Sequence, residues 1–254
     1  MEKIHPPKKP QPNLIFGRHP VVDALQSGTP MDKLLLQQGT RGEFEKEIRH
    51  LARQFNVPLQ VIPKERMNKW TRKNHQGIIG LLSLLTYYRI EDVLPTIYEQ
   101  SKTPLLVIMD GVTDVRNFGA IARSAEVSGA QAIIIPKKGS AQINADAIKT
   151  SAGALTKIAV CREHSLIRTI EFLQMSGIQV LASDLKGSKK VFDLDLSLPT
   201  ALVVGAEGDG VSKAVLQQVD ERFIIPQPGT TDSLNVSVAT GIMLYEAVRQ
   251  RYAT

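Results

Sequence analysis

Apolar and polar positions alternate along the first part of the chain in the pattern of a small mixed domain. Residues 33–38 and 58–62 are apolar runs of strand length. Between them, Phe44, Ile48, Leu51 and Phe55 follow the four-three-four spacing of one helix face. A short helix is predicted before Gly28, and a further apolar run covers residues 77–85. Alternating strands and helices of this kind predict a small α/β domain.

The second half contains a longer series of short apolar runs. Strands are predicted at residues 105–109, 132–135, 158–160, 179–182, 201–204 and 223–225, with helical patterns between most of them. Such strands, separated by helices, are typical of a parallel sheet that is buried on both faces. The predicted fold class is therefore α/β, with a C-terminal parallel-sheet domain and a smaller N-terminal α/β domain.

Proline and charge set the expected domain boundaries. Residues 1–12 are rich in proline and lysine, and we expect a basic, extended tail there. The N-terminal domain is predicted over residues 13–85. The more polar stretch 86–103 is interpreted as a linker with one helical stretch, and the C-terminal domain as residues 104–254.

Composition narrows the class of protein. Of the 254 residues, 43% are hydrophobic and 22% are charged, which is typical of a globular chain and not of a disordered or fibrous one. No apolar run approaches the roughly 18 residues of a membrane span, and the N-terminus lacks the apolar core of a signal peptide. The single cysteine, Cys161, excludes an internal disulfide and a thiolate metal cluster. We therefore expect a cytoplasmic protein with no membrane partner.

The net charge of +6 is unevenly distributed. Residues 1–102 hold 16 Lys and Arg against 10 Asp and Glu, whereas residues 103–254 hold 15 of each kind. This asymmetry favours a polyanionic partner for the N-terminal part, although a solvated basic face would give the same count.

A basic segment in the N-terminal part has the composition of an RNA-binding loop. Five of the ten positions 64–73 are Lys or Arg, and one is Trp. Such residues can follow a phosphate backbone and stack on a splayed base. The alternative is a solvated loop with the Trp side chain in the small core. The predicted RNA-binding residues are Arg18, Lys64, Arg66, Lys69, Trp70, Arg72, Lys73 and Asn74.

Three loops that follow predicted strands carry the candidate chemistry, because ligands of open α/β sheets bind outside the carboxyl ends of strands. In the first, residues 110–123, Asn117 is placed to cap a helix that carries Arg123, a pair that suits a phosphate. The alternative is an ordinary cap and a surface arginine.

The second loop, residues 203–212, has the spacing Gly-x-x-Gly-x-Gly around Glu207. This differs from the dinucleotide fingerprint and argues against a nucleotide-dependent oxidoreductase. A flexible turn that ends in a Ser212 helix cap is the alternative. The third loop leads through a Pro/Gly stretch into a helix, with Ser233 as a possible N-cap and with Asn235, Ser237 and Thr240 needing partners if buried.

Together these loops resemble the signature motifs of one enzyme family. "NFGAIARSAE", "VVGAEGDGVS" and "IPQPGTTDSLNVSVATGIMLYE" are similar to the three motifs of the SpoU (TrmH-like) RNA 2′-O-ribose methyltransferases of the SPOUT superfamily. "IFGRHPVVDAL" and "NHQGIIG" resemble the substrate-binding domain of one branch, which includes the enzyme that methylates a guanosine 2′-hydroxyl in large-subunit rRNA. The resemblance covers nearly the whole chain.

The resemblance implies a trefoil-knotted C-terminal domain that binds S-adenosylmethionine and forms a homodimer, and an N-terminal domain similar to ribosomal-protein-type RNA binders. The family's active-site positions correspond to Asn117, Arg123, Glu207, Ser233 and Asn235, and its cofactor-binding positions to Gly205, Ile225 and Leu234. Where the family often has Met after "IP", this chain has Gln227 followed by Pro228, a departure from the family pattern that concerns the detailed shape of the cofactor loop and not its existence.

Elementary chemistry agrees with this hypothesis. Methyl transfer from a sulfonium is an in-line displacement that needs no metal, and the enzyme must position the 2′-oxygen and assist loss of its proton. None of the five histidines lies in the three loops. Arg123 is the remaining candidate, either as a base with a strongly depressed pKa or as a clamp for a substrate phosphate.

Two other functions remain open from the sequence. One is a tRNA methyltransferase of the same family, although such enzymes typically lack the N-terminal domain. The other is a non-catalytic RNA-binding or ribosome assembly factor, which the intact set of active-site residues disfavours.

Overall fold

The computed structural model describes residues 14–141, 143–230 and 233–252. The chain divides into two compact units, residues 1–84 and 85–254. The tail predicted over residues 1–12 lies outside the described residues. Among the described helices, none combines the length and apolar character that crossing a bilayer requires.

The first unit is a four-stranded mixed sheet with helices against it. Its elements are β1 (Leu14–Phe16), α1 (Arg18–Gln26), β2 (Met31–Gln37), α2 (Glu43–Gln54), β3 (Leu59–Ile62), α3 (Lys64–Met67) and β4 (Ile78–Leu82). The strand order is β1-β4-β2-β3, with β2 and β3 parallel and the other pairs antiparallel. Ile48 and Leu51 of α2 pack with Val21 and Leu25 of α1 over Leu34 of β2. The apolar face predicted for residues 44–55 is therefore the buried face of α2.

The second unit is built on an eight-stranded sheet. Its elements are β5 (Tyr87–Tyr88), α4 (Ile90–Glu99), β6 (Leu105–Asp110), α5 (Val115–Val127), β7 (Ala132–Pro136), α6 (Ala145–Thr150), β8 (Ala159–Glu163), α7 (Leu166–Met175), β9 (Gln179–Ser183), β10 (Lys189–Lys190), β11 (Thr200–Gly205), α8 (Lys213–Leu216), β12 (Glu221–Ile224) and α9 (Val236–Tyr252). The strand order is β10-β12-β9-β11-β6-β7-β8-β5. Every neighbouring pair is parallel. The predicted α/β class is confirmed.

Both faces of this sheet are covered, and for that reason its strands are almost continuously apolar. On β6, Val107 and Met109 lie in the core shared with α5 and α9. The alternate residues Leu106 and Ile108 lie in the core on the opposite face, with α4 and α7. Because β6 is buried on both sides, apolar and polar residues do not alternate along it.

Residues 86–103, interpreted from sequence as a linker with one helical stretch, contain β5 and α4. Strand β5 pairs with β8, with Tyr87 opposite Val160. Helix α4 buries Ile90, Leu94 and Ile97 against the sheet. Both elements belong to the second unit.

The end of α9 is fixed by one arginine. The Arg251 guanidinium donates hydrogen bonds to the carbonyl oxygens of Leu196 at 3.0 Å and of Thr103, Pro104 and Leu198 at 2.9 Å. Burial lowers the pKa of this guanidinium. These bonds join the last helix to the chain segments that lead into β6 and β11.

Candidate active site

The three motif loops meet at one edge of the large sheet. They follow β6, β11 and β12, and β11 pairs directly with β6. Since all strands run parallel, their carboxyl ends lie at the same edge. The fold thus brings together segments that are about a hundred residues apart in sequence, such as Asp110 and Ser212.

Helix α5 begins one turn earlier than the sequence predicts. The Asp114 carboxylate accepts hydrogen bonds from the backbone N–H groups of Arg116 and Asn117, both at 2.8 Å. The prediction that Asn117 caps this helix is therefore wrong, because Asp114 already accepts the bonds of the first turn. Asn117 lies in the first turn, and its side chain is available for the neighbouring loops.

Side chains from all three loops form a hydrogen-bonded chain, which we call the amide chain. The Asn117 Nδ2 donates to Glu207 Oε2 at 3.1 Å. The Asn235 Nδ2 donates to Asn117 Oδ1, also at 3.1 Å. Three of the five predicted active-site residues are thus in direct contact, each from a different motif.

Asn235 also sets the start of α9. Its Oδ1 accepts hydrogen bonds from the Ser237 backbone N–H at 2.9 Å and from Ser237 Oγ at 2.6 Å. Asn235, and not Ser233, therefore caps this helix. The buried Thr240 donates its hydroxyl to the carbonyl oxygen of Val236 at 2.7 Å, so its polar group is satisfied within the helix.

The second loop is a tight hairpin held by backbone bonds. Ala206 and Gly210 exchange N–H···O bonds of 3.0 and 2.9 Å. A Cβ on Gly205 would overlap the backbone of Gly210 and Val211, so this position requires glycine. The Asp110 carboxylate accepts a 2.8 Å bond from the Ser212 backbone N–H and ties the hairpin to the end of β6. The sequence analysis did not predict this role for Asp110. The one feature that could have indicated it is the position of this acidic residue at the end of a predicted strand.

The other predicted catalytic residues lie near the amide chain but outside it. Arg123 is exposed on α5, six residues after Asn117, which corresponds to about 9 Å along the helix axis. Its side chain makes no hydrogen bond or ion pair with any residue that the structure describes. Ser233 is exposed, two positions before Asn235.

The predicted cofactor-binding residues lie at the ends of β11 and β12 and just before α9. Gly205 ends β11, and Ile225 directly follows β12 at the start of a stretch, residues 225–228, that is neither helix, strand nor turn. Leu234 is half-buried beside Asn235. Ile225 also borders an apolar groove of about 580 Å³, whose size is in the range of small-molecule sites. The groove is lined by Val191, Phe192, Ile225, Pro226, Val238, Gly241, Ile242, Tyr245 and Glu246.

Titratable side chains show no arrangement for a metal in the described parts of the chain. No group of three or more His, Cys, Asp or Glu in those parts is placed to hold an ion. The thiol of Cys161 is buried, and burial raises its pKa.

A basic cleft of about 830 Å³ opens on the first unit. Five of the eight predicted RNA-binding residues line it: Arg18, Lys64, Arg72, Lys73 and Asn74. Arg66, Lys69 and Trp70 are not among its lining residues, but all three are exposed. Trp70 is 38% exposed and so is not a core residue. Sequence reasoning missed His19 and Arg41, isolated basic residues that the fold adds to this cleft.

One buried histidine supports the wall of this cleft. The Gly77 backbone N–H donates to His75 Nδ1 at 3.1 Å, and His75 Nε2 lies 3.3 Å from Asn68 Oδ1. An Nδ1 that accepts a hydrogen bond requires the proton on Nε2. Burial, assisted by Lys64, lowers the pKa of His75, which favours the neutral imidazole.

A parallel α/β sheet with three polar loops at its carboxyl edge, together with a small domain that carries a basic cleft, is typical of a two-domain protein that acts on a nucleic acid. The sequence model of the SpoU rRNA methylase family matches residues 104–245, and that of the RNA 2′-O ribose methyltransferase substrate-binding domain matches residues 14–88. The chain belongs to the SpoU rRNA methylase family.

Similar proteins span nearly the whole chain. The 23S rRNA (guanosine-2′-O-)-methyltransferase RlmB of Pseudomonas aeruginosa is 36% identical over 240 residues, covering 93% of this chain and 96% of RlmB. YacO of Bacillus subtilis, named for the TrmH family of tRNA/rRNA methyltransferases, is 30% identical and covers 95% and 97%. Among solved structures, the SpoU methyltransferase AviRb of Streptomyces viridochromogenes in complex with AdoMet is 26% identical, covers 96% and 92%, and has a TM-score of 0.61.

Proposed function

We propose that this protein transfers a methyl group from S-adenosylmethionine to the ribose 2′-hydroxyl of a guanosine in 23S rRNA. The observation that carries the proposal is the amide chain, which joins one residue of each motif loop at the carboxyl edge of the sheet. The names of RlmB and AviRb support the substrate and the cofactor. The products are S-adenosylhomocysteine, the 2′-O-methylated nucleotide and a proton.

S-adenosylmethionine, when bound, supplies an electrophilic methyl group on a sulfonium sulfur. In this proposal, backbone groups at Gly205, Ile225 and Leu234 hold the cofactor, with the irregular stretch 225–228 along it. The tight hairpin after β11 holds Gly205 in place. The hairpin itself is restrained by the Ala206–Gly210 backbone bonds and by the Asp110–Ser212 bond. Preorganised groups of this kind align the reacting atoms.

The amide chain orients the ribose in this proposal. Glu207 accepts from Asn117 through one carboxylate oxygen and is exposed, so its other oxygen can accept from a ribose hydroxyl. Arg123 is exposed on the same helix as Asn117 and can donate two parallel hydrogen bonds to the phosphate beside that ribose. We assign Arg123 the role of phosphate clamp, since a guanidinium keeps its proton in proteins and is therefore a poor base.

The test is methylation by the purified protein with labelled S-adenosylmethionine and two separate substrates, an unmodified 23S rRNA transcript and unmodified tRNA transcripts. Mass spectrometry of the digested RNA then maps 2′-O-methyl groups. We expect one 2′-O-methylguanosine in the 23S transcript. Methylation of tRNA alone would identify the tRNA enzyme, and RNA binding without methylation would identify a non-catalytic binding factor.

We further propose that the second unit forms a homodimer through α9. Val238, Ile242 and Tyr245 recur on one side of this helix and are 52%, 38% and 68% exposed. With Phe192, which is 53% exposed, they line the apolar groove beside Ile225. A contiguous apolar surface of this kind is typical of a protein interface, and a second copy of the chain is the occupant that the family resemblance implies.

Sedimentation of the wild type and two variants tests the dimer. Tyr245→Glu places a charge in the groove and should yield monomers, because an unpaired charge at an interface is costly. Met175→Glu is the matched control, since Met175 is 89% exposed at the end of α7 and away from the groove. A wild type that sediments as a monomer at micromolar concentration would contradict the proposal.

A further inference from the structure

Two basic side chains lie next to each other where β7 and β8 end. Pro136 pairs with Glu163 in the sheet, and the Lys137 backbone N–H donates to the Glu163 carbonyl oxygen at 2.7 Å. The next side chains therefore come together, with Lys137 Nζ 3.4 Å from His164 Nε2. This pair lies at the same edge of the sheet as the motif loops.

A turn after β7 adds a second lysine. Ser140 Oγ donates to the Pro136 carbonyl oxygen at 3.0 Å and closes the turn that carries Lys137 and Lys138. Lys138 is exposed. With the residues that the structure describes, neither lysine forms an ion pair, whereas Arg89 close by is paired with Glu91.

The charges around Lys137 are predominantly positive. Burial, together with Arg162 and Lys138, lowers the pKa of Lys137 to about 8. Burial also lowers the pKa of His164, and Lys137, Arg89 and Arg162 contribute in the same direction. An anion bound here would relieve this repulsion.

Three carboxyl groups, those of Glu163, Glu91 and Asp92, lie on the elements next to this cluster. The Glu163 carboxyl is largely buried and accepts a 2.8 Å bond from the Ile90 backbone N–H. Its pKa is raised, chiefly by burial, which favours the uncharged acid. Glu91 is paired with Arg89, and Asp92 lies with it in the first turn of α4.

The position of the cluster relates it to the candidate active site. Strand β7 lies directly beside β6, and adjacent strands are about 4.8 Å apart. The turn after β7 is thus the neighbour of the loop that carries Asn117. A nucleotide held at the amide chain would extend its backbone phosphates over this edge of the sheet.

We propose that Lys137, Lys138 and His164 bind a backbone phosphate of the RNA, next to the nucleotide whose ribose is methylated. The inference rests on the proposed function and adds an RNA contact in the second unit, although residues 103–254 hold equal numbers of basic and acidic side chains. The contact is to a phosphate, so it positions the RNA without reading its sequence.

Charge reversal tests the site. Lys137→Glu and Lys138→Glu should each weaken binding of an unmodified 23S rRNA transcript by about tenfold or more, the scale of one charge-assisted hydrogen bond. The slope of log affinity against log salt should fall by about one. Affinity for S-adenosylhomocysteine, measured by calorimetry on the full chain, should not change.

Lys157→Glu is the matched control. Lys157 is 68% exposed and precedes β8, so it lies at the opposite edge of the same sheet. The same charge change there should leave RNA affinity at the wild-type value.

Lys137→Arg gives a second test, because arginine keeps its charge at alkaline pH. Wild-type RNA affinity should fall as pH rises through about 8, and this fall should be smaller in Lys137→Arg.

The outcomes separate this inference from the proposed function. If the wild type methylates RNA but Lys137→Glu and Lys138→Glu bind it as the wild type does, the phosphate site is overturned and the proposed function stands. If the wild type neither binds nor methylates RNA, both are overturned. Should Lys137→Glu fail to fold, the exposed Lys138→Glu decides the question alone.

Discussion

The Asn117 side chain can take only one orientation in the amide chain. Its NH₂ group faces the Glu207 carboxylate, which is an acceptor, and its carbonyl oxygen faces the Asn235 NH₂ group. The Asn235 oxygen is in turn fixed by Ser237. Each amide therefore determines the orientation of the next one, which gives a polar network of defined direction.

Arg123 gives the first prediction at the scale of single residues. Arg123→Ala should lower the single-turnover methylation rate by at least about a hundredfold, the scale of one positioned charged group. Arg123→Lys should restore little, since an ammonium cannot reproduce the guanidinium fork. Cofactor affinity should stay constant. The measurement is a single-turnover assay with saturating RNA and cofactor.

Arg222→Ala is the control for this prediction, because Arg222 is about half exposed and pairs only loosely with Asp184, at 3.7 Å. It should methylate at the wild-type rate. A near-normal rate for Arg123→Ala would remove Arg123 from the mechanism and leave Glu207 and Asn235 as the next candidates.

Gly205 gives the second prediction. Gly205→Ala should destabilise the second unit by about 1–3 kcal/mol, the cost of forcing a side chain into filled space, and should abolish cofactor binding. Gly229→Ala is the control, since a Cβ there meets no atom within 4 Å. Thermal unfolding and calorimetry measure both effects. Wild-type affinity in Gly205→Ala would show that the hairpin is not part of the cofactor site.

At the scale of elements, the sequence predicts the long apolar segments and misses the short ones. The six strands predicted in the second half all occur, and five of them are runs of mostly buried residues, whereas β12 fully buries only Phe223. Strands β5 and β10 have two residues each, which is too few to show a hydrophobic period. They form by pairing with the free edges of β8 and β12.

The start of α5 shows a second reason for error. Asp114 and Asn117 are both good capping residues, and the sequence pattern alone does not rank them. The fold decides, because Asn117 finds partners in two distant loops. The contacts that make the candidate site are long-range, so the motifs predicted its residues but not its hydrogen bonds.

The turn before β4 gives a prediction on pH. The pKa of His75 is lowered in the folded state, so folding favours the neutral form. The stability that it contributes is present above about pH 6.5, its unfolded value, and is lost as pH falls through the lower folded pKa. Unfolding of the first unit should therefore require less denaturant at pH 5 than at pH 7.

The measurement uses the fluorescence of Trp70, the single tryptophan of the chain. His75→Gln should reduce the difference between the two pH values. His50→Asn, on the exposed side of α2, should not change it. An identical pH dependence in His75→Gln and the wild type would contradict the assignment.

At the scale of the whole molecule, the structure defines which fragment should fold alone. A fragment of residues 85–254 keeps β5 and α4, whereas one of residues 104–254 exposes the apolar surface that Ile90, Leu94 and Ile97 cover. We expect the longer fragment to unfold cooperatively and to bind S-adenosylmethionine. The shorter one should be less stable, because burial of each such side chain contributes about 1.5–3 kcal/mol.

Both fragments should bind RNA more weakly than the full chain, because they lack the basic cleft of the first unit. Calorimetry and RNA filter binding measure the two affinities. Equal RNA affinity for fragment 85–254 and the full chain would show that the cleft is only a solvated surface. A fragment 85–254 that is folded and does not bind the cofactor would contradict the cofactor assignment.

The bonds of Arg251 have a consequence for how the protein becomes active. Its guanidinium reaches back 147 and 148 residues to Pro104 and Thr103, and Asn235 reaches back 118 residues to Asn117. Contacts so distant in sequence are slow to form, since a long loop must close before they contribute. The docking of α9 is therefore required both to cover one face of the large sheet and to bring Asn235 to the amide chain. A chain still being synthesised, with α9 not yet made, therefore lacks the Arg251 bonds and the Asn235 end of the amide chain, and the candidate site is assembled only when the second unit is whole.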